Sequence, residues 1–168
     1  VVDLLDGLLP TLQKGQQPAA VVVSSVASSQ LPWERNPLAA ALQAGDEAQA
    51  GQIVDDAGDK GGQLAYAGSK NAVTVAVRQR VRAWGQAGVR LNTVAPGAVE
   101  TPLLQAGLQD ARYAQAIKDF VAPLGRRADP AEIAATVVFL MGPRASFVHG
   151  TQLFVDGGMD AMVRPTQF

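Results

Sequence analysis

The chain contains no cysteine. Disulfides, a thiol nucleophile and a thiolate metal site are therefore excluded. It has little net charge, formally −1 with 14 basic and 15 acidic residues, which gives no electrostatic reason to expect nucleic acid or an anionic membrane as partner. No apolar run approaches the ~20 residues that span a bilayer, and no basic segment followed by an apolar stretch marks a signal peptide. The expected compartment is the cytoplasm. No Gly-x-Gly or Gly-x-x-x-Gly-x-Gly opens a helix after a first strand, which is the form that cradles dinucleotide phosphates. What remains is 168 residues, 48% hydrophobic and 17% charged, ordinary for a globular α/β domain with one core.

The most informative stretch is Tyr66-Ala67-Gly68-Ser69-Lys70, at the start of a long helical pattern running to Trp84. A spacing of four puts the phenol and the ammonium on one helix face. A phenol with a reference pKa near ~10 is a poor acid and a worse base at neutral pH, and a lysine beside it stabilises the phenolate. Such a pair can move a proton at a carbonyl or an alcohol. Alone the pattern is weak, because Tyr and Lys meet at this spacing by chance on solvated faces.

Its neighbours decide the matter. Upstream, Ala19-Ala20-Val21-Val22-Val23-Ser24-Ser25 is a β-branched run ending in two hydroxyls, a buried parallel strand expected over Ala20 to Ser24. Downstream, Val89 to Gly97 repeats the design, a strand closed by Pro96-Gly97 and followed by Val99, Glu100, Thr101 and Pro102. In parallel sheets ligands bind at the carboxyl ends of strands. Together with Val155-Asp156-Gly157-Gly158, these segments resemble the short-chain dehydrogenase/reductase family. Its marks are a Ser after one strand, Tyr-x-x-x-Lys on the next helix and Pro-Gly-x-x-x-Thr after the following strand.

The resemblance extends to one bacterial branch, whose members oxidise 3α-hydroxysteroids and reduce 3-oxosteroids and other ketones or aldehydes. It rests on Gln17-Pro18-Ala19-Ala20, Leu64 to Ala72, the end Arg164-Pro165-Thr166-Gln167-Phe168, and an insertion at about 30–63 between Ser25 and Tyr66. It implies a partial Rossmann-like doubly wound α/β sheet. Residues 1–168 are expected to be the C-terminal part of a single Rossmann-fold dehydrogenase domain, with the Gly-rich units and the asparagine that supports the lysine preceding Val1. Ser25, Tyr66 and Lys70 are then the catalytic residues. Tyr66 would exchange the proton, Ser25 would hold the reacting oxygen, and Lys70 would lower the tyrosine pKa and bind the nicotinamide ribose. Ser24 competes with Ser25, and the resemblance favours the second hydroxyl. Pro96, Gly97, Val99 and Thr101 would flank the nicotinamide of NAD, with NADP left open. Leu103, Leu104 and Leu108, with Ser25 and Tyr66, would meet the steroid or carbonyl substrate. The chain alone is expected to be inactive.

Duller readings stand beside these. Thr101 also suits a helix N-cap, and the three leucines suit a buried helix. The single histidine, His149, invites a Ser-His-Asp proposal, but no Gly-x-Ser-x-Gly elbow surrounds Ser25. Asp156 without clustered partners is a poor metal ligand set, so no metal is expected. Met141, Met159 and Met162 read as packing residues. Trp33 suits a substrate mouth or an anchor for the insertion. A non-catalytic fragment or interaction module that keeps family sequence but binds no dinucleotide is the alternative function.

Local signals place the remaining elements. Val1 to Leu12 reads as an amphipathic helix stopped by Lys14-Gly15, and Asn36-Pro37 starts a helix that Gly45 ends. Asp46 caps a second helix running to about Ala57, making the insertion a helical hairpin. Asp129-Pro130-Ala131-Glu132 opens a helix to Met141, and Gln152 to Val155 is the last strand. The hairpin would cover the helix surface through which most relatives pair. A homodimer through the last helix and strand is therefore expected.

Overall fold

The computed structural model describes residues 1–167; Phe168, the last residue of the Arg164 to Phe168 motif, lies outside the described residues. In chain order the elements are α1 (Val2–Leu12), β1 (Ala19–Val23), α2 (Ala39–Ala44), α3 (Glu47–Asp56), α4 (Gly61–Gln86), β2 (Arg90–Pro96), α5 (Pro102–Gln109), α6 (Ala114–Asp119), α7 (Pro130–Met141), β3 (Gln152–Val155) and α8 (Met159–Val163). Among the described residues the three strands form one all-parallel sheet in the order β1-β2-β3. Val23 pairs with Val94, and Thr93 pairs with Gln152, so all three carboxyl ends emerge on one edge. The expected partial doubly wound sheet is present.

The core lies between α1, α4 and the sheet. Trp84 and Val77 on α4 pack with Leu5, Val89 and Leu91, and Ala20 and Val22 of β1 close the cluster. His149 ties this layer to β2. The backbone N–H of Leu91 donates to its Nδ1 at 3.0 Å, so the proton sits on Nε2 and is donated to the Val81 carbonyl at 2.8 Å. Both ring nitrogens are consumed, and the ring lies against Gly85, where a Cβ would come within 3.2 Å. Arg90 fastens β2 to the end of α7, its guanidinium donating to the Leu140 carbonyl, which the helix leaves unpaired, and to the Gly142 carbonyl beyond it.

Several boundaries follow local chemistry. Asp129 accepts from Ala131 N–H while Glu132 reaches back to Asp129 N–H, a capping box with Pro130 in the first turn of α7. Gly45 ends α2 in the left-handed region at φ 70°. Asp46 accepts from Gln49 N–H at the start of α3.

Four expectations need correction. α4 does not begin at Tyr66 after a glycine break; it starts at Gly61, takes in Gly62 and runs through Gly85 to Gln86. Packing overrides propensity here, because a Cβ at Gly61 would run into the Val54 carbonyl of α3. Asn36 accepts Leu38 N–H as a cap does, but α2 begins only at Ala39 and Asn36 is itself buried. Met141 and Met162 are more than half exposed, and only Met159 is a packing residue within this chain. β1 is shifted one residue earlier than expected and ends before Ser24, whose N–H still bonds Val94 O at 2.7 Å.

Candidate active site

The site residues assemble where the strands end. Ser24 and Ser25 follow β1, Pro96 closes β2, and Asp156 follows β3. The two serines are separated by their partners. Ser24 Oγ lies 3.1 Å from the Lys70 carbonyl and 2.8 Å from Thr74 Oγ1, which itself donates to Lys70 O at 3.0 Å. Its hydroxyl is committed to clamping β1 on α4. Ser25 instead caps a 3₁₀ turn over Val26–Ser29, accepting Ala27 N–H at 3.2 Å. No protein acceptor takes its own proton among the described residues.

One turn of α4 carries Tyr66 and Lys70 to the same edge. The ammonium Nζ lies 6.0 Å from the Tyr66 ring centroid and donates to the Val23 carbonyl at 3.1 Å, directly before the two serines. Tyr66 is half exposed, and its hydroxyl has no hydrogen-bond partner among the described residues. The Ser25 and Tyr66 hydroxyls and the remaining two N–H groups of Lys70 are thus free for a ligand.

The turn after β2 is rigid for stated reasons. A Cβ on Gly97 would come within 2.8 Å of Asp156 Cα, so only glycine allows the ends of β2 and β3 to approach this closely. Val99 forms a parallel bridge with Ala128, flanked by Glu100 N–H to Ala128 O and Ala128 N–H to Ala98 O, each 2.9 Å. Thr101 is the N-cap of α5, its Oγ1 accepting Leu104 N–H at 3.2 Å and its proton remaining available. On α5 Leu103 is 80% exposed while Leu104 and Leu108 are half-buried, and the helix packs on α6, where Gly107 gives room to Ile117.

Asp156 is spent on structure. Its carboxylate accepts Gly158 N–H at 2.9 Å and Asp160 N–H at 2.7 Å, holding the turn into α8. No group of three or more metal-ligating side chains occurs among the described residues. A cleft of about 430 Å³ lies between the end of β3 and residues 122–132, lined by Phe154, Ala122 and Arg126 among others. Its Arg126 is bound to Glu132, and Ser25, Tyr66 and Lys70 are absent from its walls. Ala98 and Asp156 in its wall border the turn after β2.

Two features escaped the sequence reading. Thr74, one turn beyond Lys70, was legible as its i,i+4 neighbour but not as the partner of Ser24. Asn36 and Asn71 form a buried amide pair across 35 positions, for which no local signal exists.

A Tyr-x-x-x-Lys helix packed across the carboxyl ends of a parallel sheet, with a free serine hydroxyl at the neighbouring strand end, defines a class. The chain belongs to the short-chain dehydrogenase/reductase family; the family model that matches, described as enoyl-(acyl carrier protein) reductase, covers residues 56–160, more than half of the chain. It is 66% identical over 166 residues to 3-alpha-hydroxysteroid dehydrogenase/carbonyl reductase of Comamonas testosteroni, covering 99% of this chain and 65% of that relative. A 3-oxoacyl-[acyl-carrier-protein] reductase of Vibrio harveyi is 39% identical over 117 residues, covering 70% of this chain and 46% of the relative. Among solved structures, the 3-alpha-hydroxysteroid dehydrogenase of Pseudomonas sp. B-0831 complexed with NADH superposes with a TM-score of 0.91 at 55% identity, over 98% of this chain and 64% of that one. The chain thus spans somewhat under two thirds of the length of these two steroid-enzyme relatives. No helix among the described residues is long and apolar enough to cross a membrane.

Proposed function

We propose that this chain is the nicotinamide-and-substrate half of a cytoplasmic dehydrogenase that interconverts a 3α-hydroxysteroid, or a related secondary alcohol, and its ketone using NAD. The observation that carries the proposal is the pair of free hydroxyls, Ser25 and Tyr66, at one sheet edge with Lys70 between strand and phenol. Ser25 donates its free proton to the reacting oxygen and holds it. Tyr66 takes the alcohol proton in oxidation and returns it in reduction, while the nearby ammonium stabilises the charge that develops on the phenol oxygen. The chemistry supplied by the bound cofactor is acceptance of a hydride from the carbinol carbon, or its donation to the carbonyl.

The residues present fit the nicotinamide end. Lys70 keeps two donors for ribose hydroxyls, and Thr101 keeps one for the carboxamide. Pro96, Gly97 and Val99 line the stiff turn against which the ring would rest. Leu103, Leu104 and Leu108 supply an apolar wall suited to a steroid or aromatic ketone. The same reading gives the complete protein a homodimer contact along α7 and β3, supported by the exposure of Val138 at 71% and Phe139 at 41%.

The test is Tyr66→Phe in a form that carries the dinucleotide-binding half. Turnover is expected to fall by at least ~10²-fold with folding intact, since one oxygen leaves the proton path. Lys70→Ala is expected to weaken both kcat and cofactor affinity. Near-normal steady-state turnover by Tyr66→Phe would refute the assignment.

A further inference from the structure

We infer that Asn36, in the insertion, is a positioning residue for the Tyr66–Lys70 turn; this rests on the reading of Ser25 and Tyr66 as the reacting pair. Asn36 is 5% exposed and uses all of its amide. Its Oδ1 accepts Leu38 N–H at 3.0 Å, and its Nδ2 donates to the Gly68 carbonyl at 3.0 Å and to Asn71 Oδ1 at 3.2 Å. Asn71, also buried and adjacent to Lys70, donates onward to the Ser28 carbonyl at 3.0 Å. Ser28 belongs to the turn that Ser25 caps, and its Oγ accepts from Gln152 of β3 at 2.7 Å.

The chain of amides has a direction. Gly68 O and Ser28 O, at its two ends, are both acceptors, so two amides in series satisfy both only if each donates away from Leu38 N–H in this order. Gly68 sits between Tyr66 and Lys70 in sequence. Its lack of a side chain makes room for the insertion, since a Cβ there would come within 2.8 Å of Leu38 Cδ1 and 3.0 Å of Asn36 Oδ1. The turn of α4 that bears Tyr66 and Lys70 is therefore gripped from two sides. Ser24 holds it at the Lys70 carbonyl and at Thr74 Oγ1, and Asn36 holds it at the Gly68 carbonyl and passes the constraint to the Ser25 turn. The rotation of α4 about its axis, and with it the approach of the Tyr66 oxygen to the Ser25 oxygen, is set by this second grip. The insertion is then part of the catalytic frame as well as a cover on α4.

The test compares Asn36→Ala and Asn71→Ala in a form that carries the dinucleotide-binding half, reading kcat, KM for a 3α-hydroxysteroid, NADH affinity and circular dichroism. A displacement of the order of 1 Å at the reacting atoms lowers rate by up to ~10²-fold. Each variant is accordingly expected to lose roughly ten- to a hundredfold in kcat, with KM changing little and NADH affinity, through Lys70, weakening by a smaller factor. Because Asn36 acts through Tyr66, Asn36→Ala added to Tyr66→Phe is expected to slow turnover no further. Full kcat in either folded variant, an additive loss in the double variant, or failure of both single variants to fold overturns the inference. Turnover retained by Tyr66→Phe would instead remove the site reading itself. An inert Tyr66→Phe beside an unimpaired Asn36→Ala removes only the role of Asn36.

Discussion

β1 and β2 are written in similar apolar language, yet they fare differently. In β2, Leu91, Asn92, Val94 and Ala95 are fully buried, and the one amide among them is satisfied by Val148 O and Thr151 N–H. In β1 every residue is at best half-buried, and Val23 is 51% exposed. The difference is one of neighbours: β2 lies between two strands, and β1 is an edge. A β-branched run states that a strand belongs in an interior; the sheet order decides whether it gets there.

The comparison would break first in the core. Leu91→Ala is expected to destabilise the chain by about 2–5 kcal/mol in urea unfolding, since a completely enclosed side chain leaves a cavity. Val23→Ala, at the half-exposed end of β1, is expected to cost under ~1 kcal/mol. Equal costs would mean that β1 is covered in solution. Next comes His149→Ala, which leaves Leu91 N–H unpaired and removes the second bond to Val81 O, and is expected to cost about 1–3 kcal/mol. That variant should leave turnover per folded molecule unchanged, because the imidazole meets α4 at Val81, about three turns beyond Lys70.

The edge itself offers a sharper measurement. Residues 1–168 alone are expected to show no saturable NADH binding by fluorescence titration and to self-associate in light scattering, with Val23→Lys reducing the association. Saturable NADH binding by residues 1–168 would show that these residues suffice to hold the dinucleotide. The smallest effect lies at the surface. Arg126 pairs with Glu132 and, with Asp129 N–H, holds that carboxyl down to about 2 from an ordinary 4.5. A depressed folded pKa gives a contribution fully present above about 4.5 and lost as pH falls through about 2. Glu132→Gln should therefore shift the unfolding midpoint slightly at pH 7 and converge with the parent at the acid limit. A shift independent of pH would argue against the pairing.

Much of the site was legible. Tyr66 and Lys70 share a helix face because a spacing of four dictates it, and Thr101 caps α5 because its hydroxyl reaches an N–H three residues on. The leucines of α5 were legible as apolar but not as placed, since exposure depends on what lies opposite. Ser25 could be separated from Ser24 only by resemblance. Their partners are a carbonyl and a hydroxyl on α4, 46 and 50 positions away, and no local pattern encodes that distance.

The division follows the range of the forces. Signals carried within about one turn are set by the sequence alone: the capping box at Asp129 and Glu132, the left-handed Gly45, the Asp46 cap, the bounds of β3. Tertiary packing decided what those signals left open. It carried α4 back through Gly61 and Gly62, because the hairpin needed the close approach that glycine permits. It buried Asn36 against α4 and left Val23 half exposed at the edge of the sheet. A hydrogen bond to a neighbour in sequence is fixed by backbone geometry, whereas one across the fold exists only after the chain has collapsed around it.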